Sequence, residues 1–112
     1  MPVHDEWGQD PTVLMMRQIF SLMERAQKEF LQKINLSPFD PRLRRARARA
    51  RDLFEQTWHT AIQKERISPE GGASLLYLHC LARALKWSGI DIPEQALPKD
   101  DRIEQFLQEE WK

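Results

Sequence analysis

Six arginines, Arg42, Arg44, Arg45, Arg47, Arg49 and Arg51, fall within ten residues that contain no acid. One chemistry for such a run is phosphate binding, in which each neutralised phosphate releases counterions and adds salt-dependent affinity. Helical spacing argues for a different use. Placed on a helix, Arg44, Arg47 and Arg51 lie along one border of an apolar stripe, and Arg42, Arg45 and Arg49 along the other. Asp52, Glu55 and His59 take the outermost face. Two rows astride a core seam suit stems packed on apolar surface, with heads reaching acids on neighbouring helices. Glu24 and Glu29 precede the run, and Glu104, Glu109 and Glu110 follow it. Residues 91–112 hold seven acids and three bases, a net of −4. Pairing within the chain or at an oligomer seam is therefore the first expectation. A nucleic acid or other polyanion is the second, and an acidic protein the third. Within the helix, Arg45–Arg49 and Arg47–Arg51 are like-charge pairs at i,i+4, each unfavourable by a few tenths of a kcal/mol. Only Asp40–Arg44 and Arg51–Glu55 are favourable at that spacing, so the neutralising groups must lie outside this helix.

A second basic strip, His79, Arg83 and Lys86, follows i, i+4, i+7 spacing on the polar side of an apolar helix. Taken alone it is a solvated face; beside one arginine row, Arg83 and Lys86 would extend a positive groove. Trp7 lies in a polar arm, His4-Asp5-Glu6-Trp7-Gly8-Gln9. An isolated aromatic there either folds back on the bundle or anchors in a partner, so the arm is a second binding candidate.

Metal and catalytic chemistry find little footing. Adjacent His79 and Cys80 point about 100° apart on a helix and cannot share a metal. No Glu-x-x-His pair of the di-iron type is present. Glu55 and His59 at i,i+4 suit a surface hydrogen bond. Nucleophile-elbow, Walker and dinucleotide glycine motifs are absent from the sequence. Gly71-Gly72 reads as a flexible lead into a helix, and Cys80 as a packing residue. The expectation is a chain that is not an enzyme, with no catalytic residue, no metal and no cofactor.

These residues need elements to hold them, and proline and glycine mark where the elements end. Stretches 12–37, 42–68, 73–88 and 99–112 lack both residues, which cost a helix interior ~1 kcal/mol (Gly) and ~3 kcal/mol (Pro). Met16, Ile19, Phe20, Met23, Ala26, Phe30 and Ile34 form a stripe at three- and four-residue steps in the first. Leu43, Ala46, Ala50, Leu53, Phe54, Trp58 and Ala61 do so in the second. The third is apolar around more than half its circumference, the pattern of a helix packed by several neighbours. Ile103, Phe106, Leu107 and Trp111 share a face of the fourth. Asp10-Pro11, Asp40-Pro41 and Ser68-Pro69 read as N-caps followed by proline, and Ser88-Gly89 as a C-cap. Trp58, Trp87 and Trp111 occupy positions that can face the core.

The predicted fold is all-α: one domain, a compact antiparallel bundle of three long helices plus a short C-terminal one. Its helices span 12–34, 41–65, 69–88 and 100–111, with a polar arm over 1–10 and an extended, proline-containing strap over 89–99. The chain of 112 residues carries 17 basic and 17 acidic side chains and 41% hydrophobic residues, the profile of one globular domain without bulk affinity for polyanions. A single cysteine excludes an internal disulfide. Residues 73–85, interrupted by His79 and Arg83, fall short of the ~20 apolar residues a bilayer needs, and the acidic first residues do not read as a secretory signal. A cytoplasmic setting without membrane contact is expected. The functional expectation is a non-catalytic interaction protein, an accessory subunit, adaptor or homo-oligomer. The alternative is a nucleic-acid-binding accessory protein using the arginine run.

Overall fold

Local chemistry sets the starts of two helices and the ends of two others. In the computed structural model, which describes residues 11–65 and 72–111, α1 runs Pro11–Lys33, α2 Pro41–Gln63, α3 Gly72–Trp87 and α4 Asp101–Glu110. Asp40 caps α2, its carboxylate accepting the Arg42 amide at 2.9 Å, with Pro41 in the first turn where no amide is required. Asp100 caps α4 by accepting from the Arg102 and Ile103 amides. At the end of α3, Gly89 takes φ +84, the Ile90 amide reaches the Leu85 carbonyl and the Gly89 amide reaches that of Lys86. This is the paired bonding of a left-handed helix stop. Asn35, at φ 55, closes α1 the same way through Leu36 and Leu31. The stop at Gly89 agrees with the sequence, and the one at Asn35 adds to it.

The observed bounds lie within two residues of the expected ones wherever both are described. Residues 1–10, with the Asp10 cap and Trp7, lie outside the described residues, as do 66–71 with the Ser68 cap. The strap departs from a fully extended path. Glu94–Ala96 form a single turn of 3-10 helix, which buries Ala96 while Ile92 is buried just ahead of it.

Helix α3 occupies the centre. Ten of its 16 residues are buried, so it has no fully solvated side, and α1, α2 and α4 each pack against it. Its contact with α2 is the closest. Ala46, Ala50 and Ala61 on one helix and Ala73 and Ala84 on the other have no exposed surface, and such small side chains let the backbones approach. Arg49 meets Trp87 and Thr57 meets Cys80, an order that makes the two helices antiparallel. From α1, the buried residues are Met23, Phe30 and Leu31; from α4 they are Ile103, Phe106 and Leu107. Lys64 Nζ and Glu110 Oε1, 2.8 Å apart, tie the end of α2 to the end of α4. Among the described residues there is no strand, and no helix is long and apolar enough to cross a membrane.

Three positions expected to face the core are exposed instead. Met16 and Phe20 are 47% and 53% exposed, and Trp87 is 51% exposed. The physical reason for the first two is length. Helix α3, at 16 residues, spans roughly 24 Å and α1, at 23 residues, roughly 35 Å, so the first turns of α1 lack a central helix to pack on. Trp87, in the last turn of α3, lies where the bundle ends.

The fold thus rests on α3 fitting closely against its neighbours. Replacing fully buried Leu81 by alanine is expected to cost ~2–5 kcal/mol, the range for a buried leucine whose site cannot collapse. Urea unfolding followed by far-UV circular dichroism reads this as a lowered midpoint at unchanged slope.

Candidate functional site: the groove between α1 and α2 and its arginine border

Helices α1 and α2 both rest on α3 and diverge from each other, leaving a groove of about 810 Å³. Met16, Ile19, Phe20 and Met23 form the α1 wall, Phe54 and Trp58 the α2 wall, and Tyr77 of α3 the floor. The α2 wall is rigid. Phe54 and Trp58 stack at 5.4 Å between centroids, and Tyr77 meets Phe54 edge-on at 6.1 Å. The Tyr77 hydroxyl donates to Gln27 Oε1 at 2.6 Å, linking α3 to α1 at the base of the groove. Burial pushes the Tyr77 hydroxyl up from its usual value, an effect that the neighbouring Arg47 and Arg51 charges partly offset.

The first arginine row borders this groove. Arg47 and Arg51 line it, and Arg44 continues the row toward Pro38 and the 90%-exposed Phe39. Arg47 Nε is buried without a hydrogen-bond partner. Glu24, Glu55 and His59 stand at the same rim; the last two therefore belong to the groove rather than to an isolated outer face.

The second row faces the other flank of α2. Arg42 turns back onto its own cap, with Nη2 2.9 Å from Asp40 Oδ2. That pairing, with the Arg42 amide, holds the Asp40 carboxyl below its ordinary value. Arg49 sits over the Trp87 ring at 5.8 Å. Arg83 reaches Trp87 at 5.2 Å and Trp111 at 4.7 Å, a cation–π arrangement that joins α2, α3 and α4. Arg45 and Lys86 are exposed. The basic strip of α3 therefore does meet an arginine row, but around an indole rather than along an open channel.

The expected pairing of arginine heads with acids of neighbouring helices is not what the structure contains. Among the described residues the ion pairs within 4.0 Å are Arg42–Asp40 and Lys64–Glu110. Arg44, Arg45, Arg47 and Arg51 reach no carboxylate among the described residues, and Asp40 engages Arg42 rather than Arg44. The N-cap geometry explains the last point, because the Asp40 carboxylate that accepts the Arg42 amide also accepts from its side chain.

Elsewhere burial disfavours the charged forms of two groups, Cys80 and His79. Cys80 is fully buried beside Thr57 Oγ1, 3.9 Å away, and burial pushes its thiol up to about 12, so at neutral pH it is a thiol rather than a thiolate nucleophile. Thr57 also hydrogen-bonds to the Leu53 carbonyl. His79 is half-buried with its Nε2 unpartnered. Burial lowers its pKa, Glu104 and Asp100 act in the opposite sense, and Lys86 reinforces the lowering. Among the described residues no three His, Cys, Asp or Glu side chains converge to hold a metal.

Sequence reading located the arginines but not the groove. Its signal was the composition of 13–23, where Val13, Leu14, Met15, Met16, Ile19, Phe20, Leu22 and Met23 are apolar, on more sides than one stripe can use. No family model, curated protein or solved structure matches the chain.

The state of His79 has a measurable consequence. A base whose folded pKa is depressed adds stability that is present above its unfolded value, near 6.5, and that is lost as pH falls through the folded value. The urea midpoint is expected to drop between pH 7.5 and pH 5, and His79→Leu to flatten that drop. An unchanged drop in the variant would contradict the burial argument.

Proposed function

We propose that the chain is a non-catalytic interaction protein, a small helical subunit or adaptor whose binding face is the groove between α1 and α2. The observation that carries this reading is the apolar surface of α1. Leu14, Met15, Met16, Phe20 and Leu22 are 40–53% exposed, beside a groove walled by stacked Phe54 and Trp58. A helix apolar on most sides is stable in water when several neighbours cover it, and among the described residues the buried positions of α1, Met23, Phe30 and Leu31, all lie in its second half. Methionine-rich apolar surface also adapts readily to a partner.

A second reading is favoured by a different observation. Arg44, Arg45 and Arg51 are exposed without a carboxylate partner among the described residues, and Arg49 and Arg83 lie against the exposed Trp87. Such groups suit a nucleic acid or other polyanion. Against it stand the placement of the two rows on opposite flanks of α2 and the engagement of Arg42, Arg49 and Arg83 within the fold.

Two measurements separate the readings. A photoreactive phenylalanine analogue at Phe20 is expected to give protein adducts in cell extract, whereas the same group at Gln105, exposed on α4, gives none; equal labelling at both positions would remove the basis for a binding face. Fluorescence anisotropy with duplex DNA and single-stranded RNA at ~50 mM salt, where polyanion contacts are strongest, is expected to show no saturable binding. Binding that weakens with salt and is lost in Arg44→Glu/Arg45→Glu would favour the second reading instead.

A further inference from the structure

We infer that the occupant of the groove is a second copy of the same chain, and that the protein is a two-fold dimer in which α1 of each copy lies across α2 of the other. This rests on the proposed binding face and narrows it to one partner. Three observations point the same way.

The first is the ring of charge around the groove. Glu24 and Glu55 stand at its rim with Arg47 and Arg51, two groups of each sign. A strongly acidic partner would meet the two carboxylates and a strongly basic one the two guanidinium groups, whereas a rim of balanced charge is self-complementary. Because Glu24 belongs to α1 and both arginines to α2, laying α1 of one copy over α2 of the other sets carboxylate against guanidinium. A two-fold axis then repeats the contact, as an isologous interface requires.

The second is that the chain itself carries a helix suited to the groove. The first half of α1 exposes Met16 and Phe20 on the groove side, while Leu14 and Leu22 line a separate hollow on another face of the helix. A groove occupant of this kind supplies apolar side chains at three- and four-residue spacing. Pairing two copies satisfies two apolar surfaces at once, the α1 overhang and the groove walls, and places α1 and α2 of both copies in a four-helix arrangement.

The third is shape and net charge. The molecule measures 52 × 34 × 20 Å, so its shortest dimension accommodates about two helix layers of ~10 Å each. The formal charge is zero, so no long-range repulsion opposes the approach of two copies.

Sedimentation equilibrium of the full chain tests this. The expected result is a species of twice the 13.3 kDa chain mass, converted by Phe20→Glu to a single-chain species with an unchanged helical spectrum. Phe20 is more than half exposed, so the variant keeps its core. A second arm needs no apolar change: Arg47→Glu/Arg51→Glu and Glu24→Arg/Glu55→Arg are each expected to be monomeric, and their equimolar mixture to form a heterodimer by native mass spectrometry. A wild-type chain that stays monomeric at ~100 µM, a concentration that would populate any dimer of micromolar affinity, overturns the dimer. So does a dimer that survives Phe20→Glu. If the wild type is monomeric and the photoreactive group at Phe20 captures a different protein saturably, the dimer falls while the interaction reading stands; if it captures nothing, both fall.

Discussion

Helix α3 is buried around most of its circumference, and the rest of the molecule is arranged to cover it. A 16-residue helix with ten buried positions gains nothing by standing at a surface, so α2 approaches on an alanine face, α1 supplies Phe30 and Leu31, and α4 with the strap closes the remaining side through Ile103, Phe106 and Ile92. Each of the larger side chains contributes about 1.5–3 kcal/mol by leaving water. The same constraint creates the binding face. Because α3 is, among the described residues, the element that α1 packs on most extensively, and because α1 is seven residues longer, the part of α1 that outruns it keeps its apolar surface in water.

The arginine run is an accommodation to that core rather than a single surface. Its six members straddle the seam between α2 and α3, so they cannot all face one ligand. One row became the border of the groove, and the other spread over an indole cluster at the far flank. There Arg83 lies against two tryptophans and Arg49 against one, using aromatic faces where carboxylates were expected. Cation–π contact needs only an accessible ring face, and Trp87 at the end of α3 offers one.

Helix positions, the Gly89 stop, the Asp40 and Asp100 ends and the central place of α3 were legible in the sequence, because each depends on local spacing or on one residue's backbone chemistry. The two arginine rows were equally legible from the wheel. What the sequence left undecided depends on how far one helix extends past another. Met16 and Phe20 share the period of Met23 and Phe30, and periodicity alone cannot tell which half of the stripe finds a partner in the same chain. Leu14, Met15 and Leu22 lie off that stripe and were the clearer sign that α1 has more apolar surface than the fold consumes. Likewise the i,i+4 pairing of Asp40 with Arg44 lost to Arg42, since the cap already holds the Asp40 carboxylate at the helix start.

The central claim is that the first half of α1 is covered by another copy of the chain. Amide hydrogen exchange over residues 13–23, measured at several protein concentrations, tests it most directly. Backbone amides there should exchange more slowly in the wild-type chain than in Phe20→Glu, and the difference should shrink on dilution as the dimer dissociates. Exchange that is fast at every concentration, and indistinguishable between the two chains, would contradict the account.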